Sequence, residues 1–359
     1  MRILLGHEQR SLKDPSAVIR CHKLAEITPA FEQMEKFLAK GYYLAGFLSY
    51  EAGQAFEPRF HTDKHFDFPL LYFGAFKSVS RHRRLPKRKH FDLTPLGTNI
   101  PKNEYFRCFE QVRDHLRDGR SYQINYTFKQ NFRFEGDPQS LYDRLCDKQP
   151  AAYPAMISDP DFCILSHSPE LFFWKRGEKI EVRPMKGTLP YKPGQENKLR
   201  NDKKNRSENI MIVDLLRNDL GKIARPGGVH TPRLFEVEAL PTLFQMTSTV
   251  EAGINADLPV IDIFRALFPS GSVTGAPKIS SMEIIGRLEA EERKIYTGAI
   301  GLITPQREML FNVAIRTLLL TGSEAEMGIG SGITYSSRPQ AEFAECLLKA
   351  KFAIDLCKE

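Results

Sequence analysis

The chain has 359 residues, of which 42% are hydrophobic, 11% aromatic and 26% charged. This composition is typical of folded proteins with a large core and excludes wholesale disorder. The formal net charge of +7 weakly favours an anionic small-molecule substrate, and no apolar run is long enough to cross a bilayer.

The first part of the chain predicts mixed helix and strand. Helical spacing of apolar residues covers 31–40, and an aromatic-rich strand covers 42–50. The basic, proline-containing stretch 81–103 is predicted to be a linker. Its arginine and lysine cluster could bind nucleic acid, but no aromatic residues interleave it, so a solvated loop is the preferred interpretation. We therefore expect no nucleic-acid partner.

The later part predicts a core over 104–359, after an N-terminal part over 1–100. Residues 122–128 alternate strictly, with Gln123, Asn125 and Thr127 on one face. A polar row of this kind lines a site or belongs to a half-exposed strand. Strands arrive in runs broken by single helices, so an α+β fold with large antiparallel sheets is expected. The other predicted strands are 162–173, 179–183, 295–303 and 309–320, and the predicted helices are 104–118, 202–217, 261–267, 276–289 and 338–355.

A lysine in an unusual setting is the first candidate for chemistry. Residues 183–188 read Arg-Pro-Met-Lys-Gly-Thr, which holds Lys186 between a proline and a glycine. A lysine that loses its proton in a dry pocket becomes a nucleophile, and the nearby Glu170 could protonate a leaving group. On local sequence alone, Lys186 more simply caps a hairpin and faces water.

Carboxylates on two predicted helices are the second candidate. Glu208 lies on one helix, and Glu342 and Glu345 lie three residues apart on the C-terminal helix, which we expect to begin with a Ser337–Gln340 capping box. Such carboxylates suit Mg²⁺. The alternative is that Glu345 pairs with Lys349 one turn later, and Glu208 with a neighbouring cation.

Glycine-rich segments and one isolated arginine suggest an anion pocket. Residues 268–278 lead into a helix and contain Ser272, and 328–332 read Gly-Ile-Gly-Ser-Gly. Neither matches a nucleotide-binding spacing, so a carboxylate is the better ligand. Arg316 is a lone cation on an apolar strand, and is either a structural ion pair or a clamp for a substrate carboxylate.

The six cysteines are scattered without ligand-like spacing, which argues against a zinc site. Reduced thiols in the cytoplasm are the expectation. The N-terminus has neither the apolar length nor the flanks of a signal peptide, and no membrane partner is expected.

Taken in order, these motifs resemble the chorismate-binding enzymes, from about residue 105 to the C-terminus. The matching segments are 122–125, 168–170, 184–188, 213–220, 271–278, 296–301 and 330–333. The resemblance implies that family's fold, with large antiparallel sheets packed in a sandwich flanked by helices. It also implies that 1–100 is part of the same fold.

The resemblance also implies roles. Lys186 and Glu170 would be catalytic, as nucleophile and acid, and Glu208, Glu345 and Glu342 would hold Mg²⁺, the last through water. The substrate would be held by Ser272, Tyr296, Arg316, Gly330, Gly332 and Gln123. Chorismate and ammonia would react through a covalent lysine adduct, with the ammonia supplied by a separate glutaminase subunit.

Lys186 resembles the branch of the family whose product is 4-amino-4-deoxychorismate, and Gln123 resembles the two branches that use an amine rather than water. The alternatives are anthranilate or isochorismate synthesis, or a non-catalytic homologue that binds a glutaminase or nucleic acid. Two departures stand out. Gln245 replaces a common histidine, and Ser336 and Arg338 stand where two aspartates are usual, so metal affinity is expected to differ.

Overall fold

The computed structural model describes residues 1–6, 9–81, 89–148, 150–239 and 243–358. Eight α-helices lie in these ranges: α1 Ile27–Ala39, α2 Lys102–Arg117, α3 Pro138–Lys148, α4 Glu196–Arg200, α5 Lys203–Gly221, α6 Val260–Leu267, α7 Lys278–Leu288 and α8 Pro339–Ile354. Two short 3-10 helices, Tyr50–Phe56 and Gly271–Val273, lie beside the site described below.

The strands of the described ranges are β1 Arg2–Leu5, β2 Arg10–Lys13, β3 Ala17–Cys21, β4 Tyr43–Leu48, β5 Leu71–Phe76, β6 Ser80–Arg81, β7 Phe91–Thr98, β8 Gln123–Gly136, β9 Tyr153–Ser158, β10 Cys163–Ser168, β11 Leu171–Arg176, β12 Lys179–Arg183, β13 Met185–Pro190, β14 Val229–Ala239, β15 Leu243–Gly253, β16 Gly275–Ala276, β17 Ala299–Ile303, β18 Met309–Val313, β19 Thr317–Thr321 and β20 Glu324–Ile333.

These strands form two ten-stranded antiparallel sheets. The first has the order β16-β8-β20-β19-β10-β9-β1-β2-β6, with β7 beside β8. The second has the order β13-β15-β12-β11-β18-β17-β4-β5-β3, with β14 beside β15. The α+β prediction with large antiparallel sheets is confirmed.

The apolar side chains separate into three main layers. One cluster fills the space between the two sheets, with Ile3 and Ile157 from the first sheet and Phe47 and Ile300 from the second. A second cluster packs α1, α5 and α6 on the second sheet, and a third packs α2, α3, α7 and α8 on the first. Burial of each large apolar side chain contributes about 1.5–3 kcal/mol to the stability of the fold. The positions of the three clusters make the molecule a sheet sandwich flanked by helices on both sides.

The N-terminal strands belong to both sheets. β1 pairs with β9 in the first sheet, whereas β4 pairs with β17 in the second. Residues 82–88 of the predicted linker lie outside the described residues. The linker prediction is wrong over Phe91–Thr98, which pairs with β8 as strand β7.

Two predicted strands are each divided between the sheets. The predicted strand 162–173 is β10 in the first sheet and β11 in the second, with the break at Pro169, which has no N–H for a ladder. The predicted strand 309–320 is β18 in the second sheet and β19 in the first, and Arg316 in the break has a φ of 51°. Apolar residues lie on both sides of each break, so periodicity alone did not reveal the breaks.

The start of the C-terminal helix also differs from the expected capping box. Helix α8 begins at Pro339, with Arg338 as N-cap. The Ser337 hydroxyl instead accepts from the Thr334 N–H at 3.1 Å and donates to a Glu342 carboxylate oxygen at 2.7 Å. The Ser-x-x-Gln spacing was therefore a wrong indicator, because the hydroxyl serves a buried carboxylate rather than the helix end.

Candidate active site

The two crossovers between the sheets bring Glu170 and Arg316 to one place. The Val313 N–H donates to the Glu170 carbonyl at 3.1 Å, and the His167 N–H donates to the Arg316 carbonyl at 3.0 Å. These backbone hydrogen bonds tie one crossover to the other. Residues separated widely in sequence are thus fixed at the junction of both sheets.

Glu170 and Lys186 meet around Ser272. The Ser272 hydroxyl donates to Glu170 Oε1 at 2.6 Å, and Lys186 Nζ donates to the Ser272 carbonyl at 3.4 Å. A second hydroxyl, that of Ser270, lies 3.0 Å from the Ser272 hydroxyl. The structure therefore assembles the acid and the amine that the sequence suggested, with the Gly271–Val273 turn between them.

Burial moves both groups toward their neutral forms. It lowers the pKa of Lys186, with partial compensation from the charges of Glu170 and Glu208. It raises the pKa of Glu170, against the hydrogen bond from Ser272 and the charge of Lys186. Within the described ranges, neither side chain makes an ion pair closer than 4 Å. A neutral amine beside a neutral carboxylic acid is the protonation state needed for a nucleophile and an acid.

Lys186 lies on a strand, so the hairpin-cap interpretation is wrong. The register of β13 against β15 shifts between Met185 and Thr188, which marks a bulge that contains Lys186. Bulges turn side chains away from the regular alternation of a strand. Gly187 in the bulge has a φ of 86°, and a Cβ there would lie 2.8 Å from the side chain of Asn205. Glycine at 187 thus lets β13 pack against helix α5.

The first sheet supplies one wall of the site. Strand β20 pairs with β8, and a Cβ on Gly332 would lie 2.1 Å from Gln123 Nε2. The Gln123 amide oxygen is buried and has no partner among the described residues. Buried polar atoms in folded proteins nearly always have partners, so this oxygen is available to a ligand. The predicted polar row of β8 is buried at Gln123, Asn125 and Thr127.

The Tyr296 ring packs against strand β20 at Gly328. A Cβ on Gly328 would approach its ring to 2.0 Å, so only glycine fits at this position of β20. Burial raises the pKa of the Tyr296 hydroxyl, which therefore stays protonated and can donate a hydrogen bond. Gly328 was not among the predicted site residues, although it stands in the same glycine-rich run as Gly330 and Gly332.

Arg316 carries no counter-charge among the described residues. No described carboxylate lies within ion-pair distance of its guanidinium, and burial lowers its pKa. A partly buried guanidinium without an anion is costly unless a ligand supplies one. The sequence left two interpretations of Arg316, a structural ion pair and a clamp for a substrate carboxylate. The ion pair has no partner among the residues described, so the clamp is the interpretation that remains.

The carboxylates of the two helices are paired. Glu345 on α8 lies 2.8 Å from Lys349, and Glu208 on α5 lies 3.8 Å from Lys204. The pairing of Glu345 with Lys349 and of Glu208 with a neighbouring cation, both expected under the alternative interpretation, is therefore present. Lys349 also donates to the Gly330 carbonyl at 2.8 Å.

These carboxylates are oxygen donors of the kind that Mg²⁺ prefers, but they are not arranged as a complete coordination site. Burial and the nearby charges of Glu342 and Glu345 raise the pKa of Glu208, so the three carboxylates are close enough to interact electrostatically. No cluster of three metal-ligating side chains was found in the described part of the chain. Mg²⁺ takes only one or two protein carboxylates and keeps water or substrate oxygens elsewhere, so the oxygen donors suit it.

The two departures from the family pattern also have defined places. Gln245 is buried on β15, opposite Thr188 of β13. A neutral amide at this position cannot act as an acid or base. Ser336 and Arg338 flank Ser337, whose hydroxyl holds Glu342.

Comparison with known proteins agrees with the fold. Residues 5–355 match the family model for chorismate binding enzymes. The chain is 39% identical to aminodeoxychorismate synthase component 1 of Salmonella typhimurium over 73% of this chain and 60% of that protein. It is 40% identical to the probable chloroplastic aminodeoxychorismate synthase of Oryza sativa subsp. japonica over 72% of this chain and 30% of that protein.

Among solved structures, anthranilate synthase component I from Streptococcus pneumoniae shares the fold, with a TM-score of 0.81 and 23% identity over 98% of this chain and 92% of that chain. The present chain matches little more than half the length of the bacterial relative and under a third of the plant relative. None of the helices in the described ranges combines the length and apolar character that crossing a bilayer requires. By its sequence match, its sheets and its site, the chain belongs to the chorismate binding enzyme family.

Proposed function

We propose that this chain converts chorismate and ammonia to 4-amino-4-deoxychorismate, a precursor of 4-aminobenzoate and folate. The observation that carries the proposal is the pair formed by Lys186 and Glu170 around Ser272. The relatives from Salmonella typhimurium and Oryza sativa, which are named as aminodeoxychorismate synthases, support it.

The first step uses both groups of the pair. The neutral amine of Lys186 forms a bond to C2 of chorismate, the ring double bond shifts, and the bond from C4 to its hydroxyl breaks. Glu170 gives its proton to the departing oxygen, which leaves as water. The pKa shifts of both residues favour the required protonation states.

The second step reverses the displacement. Ammonia forms a bond to C4, the double bond shifts back, and the bond between C2 and the Lys186 nitrogen breaks. Lys186 leaves as a neutral amine, and the Glu170 carboxylate takes a proton from the new ammonium group. Two displacements restore both catalytic groups and place the amino group at C4.

Residues around the pair would hold the substrate. Arg316 would bind a substrate carboxylate, because its guanidinium has no anion among the residues described. Tyr296 and Gln123 offer a hydrogen-bond donor and an orphaned amide oxygen. Gly330 and Gly332, where an added side chain would clash with β8, would offer backbone N–H groups at the wall formed by β20.

A divalent cation would complete the pocket. Glu208 and Glu345 would hold Mg²⁺, with Glu342 assisting through water. The bound ion would supply positive charge for the ring carboxylate of chorismate. Lys204 and Lys349, which pair with these glutamates, would have to release them.

The ammonia would come from a separate glutaminase subunit. The designation "component 1" in the names of bacterial relatives implies a second component. The five cysteines whose side chains are described are buried and are not joined by disulfides, which suits a reducing compartment, and we place the enzyme in the cytoplasm.

A coupled assay tests the proposal. The protein is incubated with chorismate, ammonium and Mg²⁺ in the presence of 4-amino-4-deoxychorismate lyase, and the products are separated by liquid chromatography. We expect 4-aminobenzoate. Formation of 2-aminobenzoate or isochorismate would assign the chain to another branch of the family, and absence of turnover would favour a non-catalytic homologue.

A further inference from the structure

A large apolar groove lies on the outer side of helix α5. It has a volume of about 790 Å³ and is bounded by α5, α7 and the 3-10 segment Tyr50–Phe56. Its apolar lining includes Met211, Leu215 and Met282. None of the residues assigned above to the substrate or the metal lines it.

Exposed apolar side chains are concentrated at this groove. Tyr122, Ile210 and Ile279 all line it, and they are 70%, 45% and 37% exposed, respectively. Single exposed apolar residues are common on protein surfaces, but a cluster over one concave area marks an interaction site. Tyrosine and isoleucine beside a methionine-lined floor suit a protein surface.

The charges around the groove favour a protein partner over a polyanion. Its ionisable residues are balanced in sign, with Glu57, Asp214 and Asp219 opposing Lys222, Arg265 and Lys278. Asp219 is already paired with Lys222 at 2.7 Å and with Lys278 at 2.6 Å. The excess positive charge of the chain, +7 in total, therefore does not lie at this groove. An apolar floor with a polar rim of both signs is the usual anatomy of a protein interface.

The groove and the candidate active site share a thin wall. Leu215 lines the groove, and a Cβ on Gly271 would lie 2.2 Å from the Leu215 side chain. The next residue, Ser272, contacts both Lys186 and Glu170 on the other side. One turn of backbone, with no side chain at Gly271, therefore separates the groove from the reacting groups.

We propose that this groove is the docking surface for the glutaminase subunit that supplies ammonia. The inference rests on the proposed function, which requires ammonia at the Lys186 side of this wall. Docking here places the source of ammonia across the Gly271–Val273 turn from the site. Ammonia then travels a short distance without release into bulk water, where it would be protonated.

Charge insertion in the groove provides the test. The variants are Ile210→Glu and Ile279→Glu, and the control is Val18→Glu, because Val18 is an aliphatic residue of similar exposure, 43%, on β3. The glutaminase subunit purified from the same source is titrated into each full-length protein by calorimetry. We expect at least a roughly tenfold rise in Kd for both groove variants and no change for the control.

Turnover is then measured with two nitrogen sources. Glutamine-dependent turnover should fall in the groove variants, while ammonium-dependent turnover stays within about twofold of the unaltered protein. Unchanged Kd in both groove variants overturns the docking assignment. So does a shift of molar mass by light scattering with unchanged glutaminase binding, since the groove would then belong to a second copy of the chain.

The two proposals fail separately. If the unaltered protein gives no ammonium-dependent 4-aminobenzoate, the proposed function is wrong whatever the calorimetry shows. If it does, and the groove variants lose ammonium-dependent and glutamine-dependent turnover equally with unchanged Kd, the docking proposal alone is wrong.

Discussion

The half of the site built on strands and the half built on helices hold ionisable groups in different ways. On the strands and crossovers, the site holds Lys186, Glu170 and Arg316, which have no ion-pair partner in the described part of the chain. Burial shifts the pKa of each group in the direction that favours its neutral form. On the helices, Glu345 and Glu208 keep lysine partners at 2.8 and 3.8 Å.

This difference distinguishes the half of the site suited to catalysis from the half suited to binding a cation. Removing a charge from water without a partner stores free energy that is recovered only when the reaction or the substrate supplies the missing partner. An ion pair exposed to solvent is worth at most about 1 kcal/mol and is readily exchanged. The strand half is therefore suited to catalysis, and the helix half to the entry and release of a cation.

The largest effect is expected for Lys186→Ala. Loss of the nucleophile should lower 4-aminobenzoate formation in the coupled assay by roughly 1,000-fold or more. The melting temperature should stay the same or rise, because a polar amine that burial disfavours and that has no ion-pair partner among the described residues is removed. Lys179→Ala is the control, since Lys179 is an exposed lysine on strand β12 of the same sheet. If the Lys186→Ala protein had the normal rate and product, the strand half of the site would not supply the nucleophile.

The next effect is expected for Glu345→Gln. Substitution of a carboxylate ligand by an amide should weaken Mg²⁺ binding at least roughly tenfold, measured by calorimetry in the presence of chorismate. Glu324→Gln is a suitable control, because Glu324 lies at the exposed start of β20. Equal Mg²⁺ affinity in both variants would contradict the assignment of Glu345 as a ligand.

A smaller effect is expected for Arg316→Met. Loss of a charge-assisted hydrogen bond to a substrate carboxylate should raise the KM for chorismate roughly tenfold. The free energy of unfolding should not fall, because the guanidinium has no described counter-charge to leave behind. A marked loss of stability with unchanged KM would show that Arg316 has a structural partner instead.

The smallest effect is expected for Lys204→Met. This change removes the cation that competes for Glu208, so Mg²⁺ should bind about two- to threefold more tightly. Lys203→Met, on the same helix, is the matched control and should leave the affinity unchanged. Weaker Mg²⁺ binding in Lys204→Met would mean that Lys204 orders Glu208 rather than competing for it.

Much of this site was predictable from sequence because short motifs carry its chemistry. Lys186, Glu170 and Ser272 were all singled out, and the structure brings them together. What could not be predicted was the bulge in β13 that turns Lys186 inward, since it depends on pairing with β15. Strand β15 itself was missed, as were β14 and helix α3.

The breaks in the two long predicted strands were missed for a similar reason. Periodicity reports which residues are apolar, but a crossover between sheets keeps apolar residues on both sides of the break. Pro169 was a usable signal, because proline interrupts a ladder. The positive φ of Arg316 had no signal, since arginine rarely adopts that conformation and does so here in tertiary context.

The interleaving of the sheets has a consequence for how the protein is made. Ile124 of β8 pairs with Ile333 of β20, and Ala45 of β4 pairs with Leu302 of β17. Contacts so distant in sequence fold slowly and cannot form until the second strand has been synthesised. The site is therefore complete only after helix α8 has been synthesised. A chain truncated before α8 should be a target for proteases rather than a weak enzyme.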